Sequence, residues 1–234
     1  MAIYAIGDLH LSFQTNKPMD IFGDQWKNYL EKLEKNWRKL IYDDDLVILL
    51  GDFSWGMNLK DTLLDFKFID SLPGIKVLIK GNHDFWWKSL QKNNDFIKEN
   101  GFKNIFFIQN NSFEYKGYAI VGTRGWSFLN SENSEKMKNR EAIRLTNSIL
   151  SVQNRESKKI ICAMHYPPVT EEMVLRNDIG PYLQILKKYN INNCYYGHLH
   201  GRSHCEAVEG EIEGIRLELV SSDYINFEPK RITI

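Results

Sequence analysis

Residues 43–52, DDDLVILLGD, set an unbroken run of five aliphatic residues, Leu46 to Leu50, between an acidic triplet and Gly51-Asp52. A run this short and this apolar reads as a strand buried on both faces, as in a parallel sheet. Asp43, Asp44 and Asp45 read as a solvated turn leading into it. Gly51-Asp52 is ordinary turn chemistry, but it also leaves a carboxylate at the strand's carboxyl end. The same arrangement recurs along the chain. Met1 to Ile6 runs into Gly7-Asp8-Leu9-His10, and Ile75 to Ile79 into Gly81-Asn82-His83-Asp84. Lys159 to Met164 runs into His165, and Asn193 to Tyr196 into Gly197-His198-Leu199-His200.

Amphipathic stretches separate these runs. Asp24 stands where an N-cap would, before Trp26, Leu30, Leu33, Trp37 and Leu40 at helical spacing. Further helices are expected over Leu59 to Leu72, Trp86 to Glu99, Glu135 to Leu150 and Asp178 to Tyr189. Strands interleaved with helices define the α/β class. After Gly101 the texture becomes strand-rich: Ile105 to Ile108, Ser112 to Tyr115 and Tyr118 to Gly122 are expected to begin a second sheet, the last two joined by a Lys116-Gly117 hairpin turn. Phe128 to Lys136 reads as a polar loop. The C-terminal part reads as antiparallel strands near Ser203 to Glu209, Ile215 to Val220 and the last four residues.

The chain has 234 residues, 43% hydrophobic and 26% charged, which suits one globular domain spanning residues 1–234 and excludes disordered and fibrous classes. Thirty basic residues offset thirty acidic ones, so bulk charge gives no argument for a polyanionic partner. No apolar run approaches the roughly 20 residues of a membrane span, and the start lacks a basic leader, so a cytoplasmic protein is expected. Cys162, Cys194 and Cys205 lack CxxC spacing, which argues against both a disulfide framework and a thiolate metal site.

Five of the six histidines stand at expected strand ends, where α/β sheets gather their ligands. Asp8 and His10, like His198 and His200, are two residues apart, a spacing that points side chains the same way from a strand. Asp, Asn and His donors without cysteine suit Mn, Fe, Zn or Co. Two ions about 3.5–4 Å apart would use the whole set, with Asp52 as the natural shared carboxylate. His204 receives no ligand role and is expected to pack or to support a neighbour.

The ordered blocks D-x-H at Asp8 and His10, G-D at Asp52, G-N-H-D at Asn82 to Asp84, H at His165 and G-H-x-H at His198 and His200 resemble the calcineurin-like metallophosphoesterases. The size and the GDLH, GNHDFWW and GTRGW stretches look like small single-domain bacterial phosphohydrolases. The resemblance implies two packed mixed β-sheets flanked by helices, a four-layer α/β/β/α sandwich. It implies that Asp8, His10, Asp52 and His200 hold one metal, and Asp52, Asn82, His165 and His198 a second. His83 is the implied general acid, with Asp84 orienting its ring.

The implied reaction is hydrolysis of a phosphate ester by a metal-bridged water or hydroxide, with Mn2+ favoured and Fe, Zn, Co and Ni as alternatives. A small phosphorylated substrate, a monoester or diester and nucleotide-like in one reading, fits the chain's size; no nucleic-acid or membrane signal accompanies it. A nuclease, a phosphoprotein phosphatase and a metal-stabilised interaction scaffold stand as alternatives. Arg124 and Trp126 are the candidate substrate contacts. Arg124 could clamp two phosphate oxygens or serve only in a salt bridge. Trp55, Trp86, Trp87 and Trp126 fall near the motifs, and packing at the helix–sheet interface is the favoured role for most of them.

Overall fold

The computed structural model describes residues 1–128 and 133–232 and builds two β-sheets that share one apolar interface. Four parallel strands, β1 (Ile3–Ile6), β2 (Leu46–Leu49), β3 (Ile75–Leu78) and β4 (Ile105–Phe107), lie side by side in that order. Helices α1 (Tyr29–Leu40), α2 (Leu63–Asp70) and α3 (Leu90–Glu99) make the three crossovers between them. The second sheet contains β5 (Phe113–Tyr115), β6 (Tyr118–Thr123), β7 (Lys159–Met164), β8 (Asn193–Tyr196), β9 (Gly210–Ile212) and β10 (Ile215–Leu219). Its spatial order is β5-β6-β7-β8-β10-β9, with α4 (Ser134–Leu150) before β7 and α5 (Glu171–Leu175) and α6 (Gly180–Lys188) before β8. The chain then returns to the first sheet, where β11 (Lys230–Arg231) pairs antiparallel with β1.

Strand periodicity assigns the layers. Along β2, Val47 and Leu49 face α1 and α2, whereas Leu46, Ile48 and Leu50 face the other sheet. Along β7, Cys162 and Met164 face α4 and α6, whereas Ile161 and Ala163 face the first sheet. Both sheets are therefore covered on both faces, which is why their central strands show no polar alternation. The layers run helix, sheet, sheet, helix. Register then sets the site: Ile6 is level with Leu49, Leu49 with Leu78, and Met164 with Tyr196, so the loops that follow leave from one edge of each sheet.

Several sequence expectations are corrected. Ile105 to Phe107 closes the first sheet beside β3, and the second sheet begins only at Phe113. The Lys116-Gly117 turn forms as expected, with both residues at positive φ, 45° and 87°. Asp24 caps no helix; it opens a 3-10 turn, and α1 starts after Asn28, which is left-handed. Trp86 to Lys88 lie outside α3, whose N-cap is Ser89, because this segment belongs to the loop that follows β3. Residues 201–206 form a 3-10 turn where a strand was expected, and β10 runs parallel to β8. Of the Phe128 to Lys136 loop, Ser134 to Lys136 begin α4, and 129–132 lie outside the described residues. Of the acidic triplet only Asp43 and Asp44 are solvated. Asp45 is buried and accepts hydrogen bonds from the Ala2 and Tyr42 N–H groups, fixing the entry to β1. Among the described residues no helix is long and apolar enough to cross a membrane.

Lys76, in the middle of the first sheet, is fully buried with its ammonium donating to the Leu72 carbonyl. Burial lowers its pKa to about 8, against the opposing pull of Asp70 and Asp43. A base depressed in the folded state binds fewer protons there than in the unfolded chain, so its contribution to stability rises with pH between about 8 and 10.5. We expect Lys76→Met to stabilise the protein by about 1–2 kcal/mol at pH 7, after allowing for the lost hydrogen bond. Urea denaturation across pH 7–10 should show that increment shrinking as pH rises; a pH-independent difference would discount the buried charge as its cause.

Candidate metal centre

The loop after β1 and the loop after β2 are joined through their backbones. Asp8 N donates to the Gly51 carbonyl and His10 N to the Asp52 carbonyl, both at 2.9 Å. The second sheet is tied in by Gly7 N donating to the Val220 carbonyl at 2.7 Å. Such proximity leaves no room for extra atoms: a Cβ on Gly81 would lie 2.1 Å from Asp52 N, and one on Gly197 would lie 2.4 Å from Asp8 Oδ2. Asp8, His10, Asp52 and His198 all adopt positive φ, at 61°, 47°, 48° and 74°. Non-glycine residues rarely do so, and clustered strain of this kind marks functional sites.

The side chains converge in two groups, Asp8 with His10 and His200, and Asp52 with His165 and His198. His200 Nε2 lies 3.3 Å from both His10 Nε2 and Asp8 Oδ1. Asp52 Oδ2 stands between the groups, 3.8 Å from His10 Nε2 and 3.5 Å from His165 Nε2. Asn82 joins the second group, its Oδ1 2.6 Å from His165 Nε2. All seven sequence-predicted ligand positions are thus brought to one place.

Electrostatics make this an unfavourable arrangement for the protein alone. Burial and the neighbouring Asp8 charge raise Asp52 well above the usual carboxylate range. Burial, with His165 nearby, lowers His198 to about 3. Burial also lowers His200, yet the Asp8 and Asp223 carboxylates prevail and raise it to about 10. Two imidazole Nε2 atoms facing one another at 3.3 Å beside buried carboxylates form a donor set suited to a cation. Oxygen and imidazole donors fit divalent ions of intermediate softness, and the residues present therefore fit a two-ion centre.

His83 stands at the edge of the cluster with its backbone N–H donating to Asp52 Oδ1 at 2.7 Å and its ring centroid 4.7 Å from that of Trp55. Burial and the nearby His165 lower its pKa. Asp84 takes a different position from the one expected. Its carboxylate accepts from the N–H groups of Phe53, Ser54 and Gly81 and from Trp86 Nε1, and none of these bonds reaches the His83 ring. It clamps the β2 and β3 loops together, with its pKa raised to about 6 by burial and then by Asp52.

Arg124 points its guanidinium toward the buried Glu141, 3.6 Å away, and over the Trp126 ring. Trp86 and Trp87 pack in the core, whereas Trp55 stacks on His10 with centroids 4.8 Å apart. Trp26, read from the sequence only as part of a helix face, meets both His10 and His200 edge-on. The other residue missed is Asp223. Its Oδ1 lies 2.8 Å from His200 Nδ1 and its Oδ2 3.3 Å from His204 Nε2, which makes His204 a neighbour of this pair. The signal was present: Ser221-Ser222-Asp223 follows the run Ile215 to Val220 and is one more polar strand end.

Two cavities open on the cluster. One of about 270 Å³ is lined by His10, His83 and His200 with Trp26, Trp55 and Phe22. The other, of about 410 Å³, is lined by His198, Tyr166, Trp126 and Val169.

Asp223 Oδ1 beside His200 Nδ1 favours a proton on that nitrogen and turns Nε2 toward the cluster, where an ion would displace the second proton, the usual task of a carboxylate behind a metal-ligating histidine. Asp223→Asn should weaken affinity for the ion on the Asp8 side by about 10–100-fold. Calorimetric titration with Mn2+ measures this directly, and an unchanged first-site affinity would remove Asp223 from that role.

No curated protein matches the chain. Among solved structures, a protein of unknown function, AQ665 from Aquifex aeolicus, is 20% identical over 98% of this chain and 95% of its own, with a TM-score of 0.54. TT1561 of Thermus thermophilus is 13% identical over 92% and 86%, with a TM-score of 0.57. At these identities the likeness is one of fold. The family model for calcineurin-like phosphoesterases matches residues 1–202, a span that includes all five motif blocks. Sequence, sheet order and the convergence of both His/Asp groups agree, and the chain belongs to the calcineurin-like phosphoesterases, metal-dependent hydrolases of phosphate esters.

Proposed function

We propose that this phosphoesterase acts on small phosphate esters through two divalent ions, with Mn2+ as the working ion. Asp8, His10, Asp52 and His200 would hold one ion, and Asp52, Asn82, His165 and His198 the other. The observation that carries this reading is the position of Asp52 Oδ2, within 3.8 Å of His10 and 3.5 Å of His165, where one carboxylate serves both groups. When bound, the ions supply Lewis-acid charge for the phosphate oxygens and an activated water.

The chain's own residues do the rest. The paired loops hold the donors in fixed, strained conformations, so little reorganisation accompanies binding. His83, held through its backbone on Asp52, would act as imidazolium, giving its ring N–H proton to the leaving oxygen. Trp26 and Trp55 exclude water from the Asp8 side. A formal charge of zero favours a small substrate over a nucleic acid. Cys162 and Cys194, in register on β7 and β8 and both free thiols, accord with a cytoplasmic setting.

Hydrolysis of bis(p-nitrophenyl) phosphate should be abolished by EDTA and restored by Mn2+. A metal-replete protein inert toward every simple phosphate ester would sink this reading. Asp52→Asn should lose both ions, measured by elemental analysis after gel filtration. His83→Ala should retain both and lose about 10²–10⁴ in kcat; unchanged turnover in that metal-replete variant would assign the leaving-group role elsewhere.

A further inference from the structure

Among the described residues the two cavities share no lining residue, and each is lined by histidine of a different group. A phosphorus reached from both groups would have one cavity beside each group, the first at His10 and His200 and the second at His198. A phosphate monoester has one organic substituent and would leave a cavity of 270 or 410 Å³ without an occupant. A diester has two. The cavities also differ in chemistry. The first is walled by Trp26, Trp55, Met19 and Phe22, with Arg202 at its rim. The second has an aromatic wall of Trp126 and Tyr166, Tyr166 packing on His198 with centroids 4.1 Å apart. Its rim carries Glu171, Glu172 and Glu206, all exposed, with Glu172 paired to Arg176 at 2.6 Å, and the net negative charge that remains disfavours a second anionic group there.

Resting on the phosphoesterase reading above, we infer that the natural substrate is a phosphodiester with unlike arms: a flat aromatic or apolar arm in the first cavity and a neutral or cationic polar arm in the second. The geometry also sets which bond breaks, because His83 lines the first cavity and not the second. Water oxygen bonds to phosphorus, and the P–O bond to the first-cavity arm breaks with its electron pair leaving on that arm's oxygen. That oxygen takes the His83 N–H proton, and a proton of the attacking water restores the ring. The products are the hydroxy compound of the first arm and a phosphomonoester of the second.

The test uses the Mn2+-loaded protein with p-nitrophenyl phosphorylcholine, whose arms match the two cavities, against p-nitrophenyl phosphate. Its kcat/KM should exceed that of the monoester by at least about tenfold, the lower end of what one further buried arm contributes. Phosphorus NMR should show phosphorylcholine as the product. Independently of turnover, calorimetry should find diphenyl phosphate bound at least about tenfold more tightly than phenyl phosphate. The double variant Glu171→Gln, Glu172→Gln should lower the choline ester's kcat/KM several-fold and by more than that of bis(p-nitrophenyl) phosphate, whose second arm carries no charge; an equal loss on both esters overturns the cationic-arm assignment. Phe22→Ala should weaken diphenyl phosphate binding. Equal or faster turnover of the monoester, or equal binding of the two phenyl compounds, overturns the inference while leaving the phosphoesterase reading in place; no turnover of any ester overturns both.

Discussion

Asp8 and Asp52 are two carboxylates buried beside one another, and much of this protein's irregular geometry serves to place them there. Regular strand ends would project them apart. Instead Asp8, His10, Asp52 and His198 turn into the left-handed region, and Gly81 and Gly197 give up side chains so that the carboxylates can approach neighbouring backbone. Strain and like-charge proximity are tolerable because the sheets beneath are apolar on both faces and the loops are bonded to one another. Stability is thus concentrated in the layers and spent at their common edge.

Around that centre the residues that touch no ligand are as consequential as those that do. Asp84 joins the loops after β2 and β3 through four hydrogen bonds and so sets the distance between Asp52 and Asn82. Asp223 orients His200 from behind. Trp55 stacks on His10, and Trp26 closes the same ring from the edge, a dry wall that strengthens every electrostatic interaction inside it.

The candidate ligand positions were legible because each stands at the end of an apolar run, where side-chain period and turn chemistry both speak. The layers were legible for a similar reason: continuous apolar strands need cover on two faces. What escaped the sequence depended on partners far along the chain. Ile105 to Phe107 has the texture of the strands that follow it, but a parallel crossover through α3 returns it to β3. Asp84 beside His83 invites a carboxylate–imidazole pair, yet the demand of four nearby N–H groups outweighs adjacency. Asp45 looks like one member of a solvated run until the start of β1 supplies its donors. Asp223 carried the right local pattern, but its partner His200 lies 23 residues earlier and no short motif joins them.

The antiparallel docking of β11 on β1 and the reach of His200 back to Asp8 and His10 have a bearing on synthesis. His10 and His200 are separated by 190 positions, and Asp223 is later still. A growing chain therefore exposes one half of the Asp8, His10 and His200 group long before the other half leaves the ribosome. Partial products carry Asp8 and His10 without His200, and the group these three residues form stays incomplete until His200 and the Asp223 that orients it have both emerged.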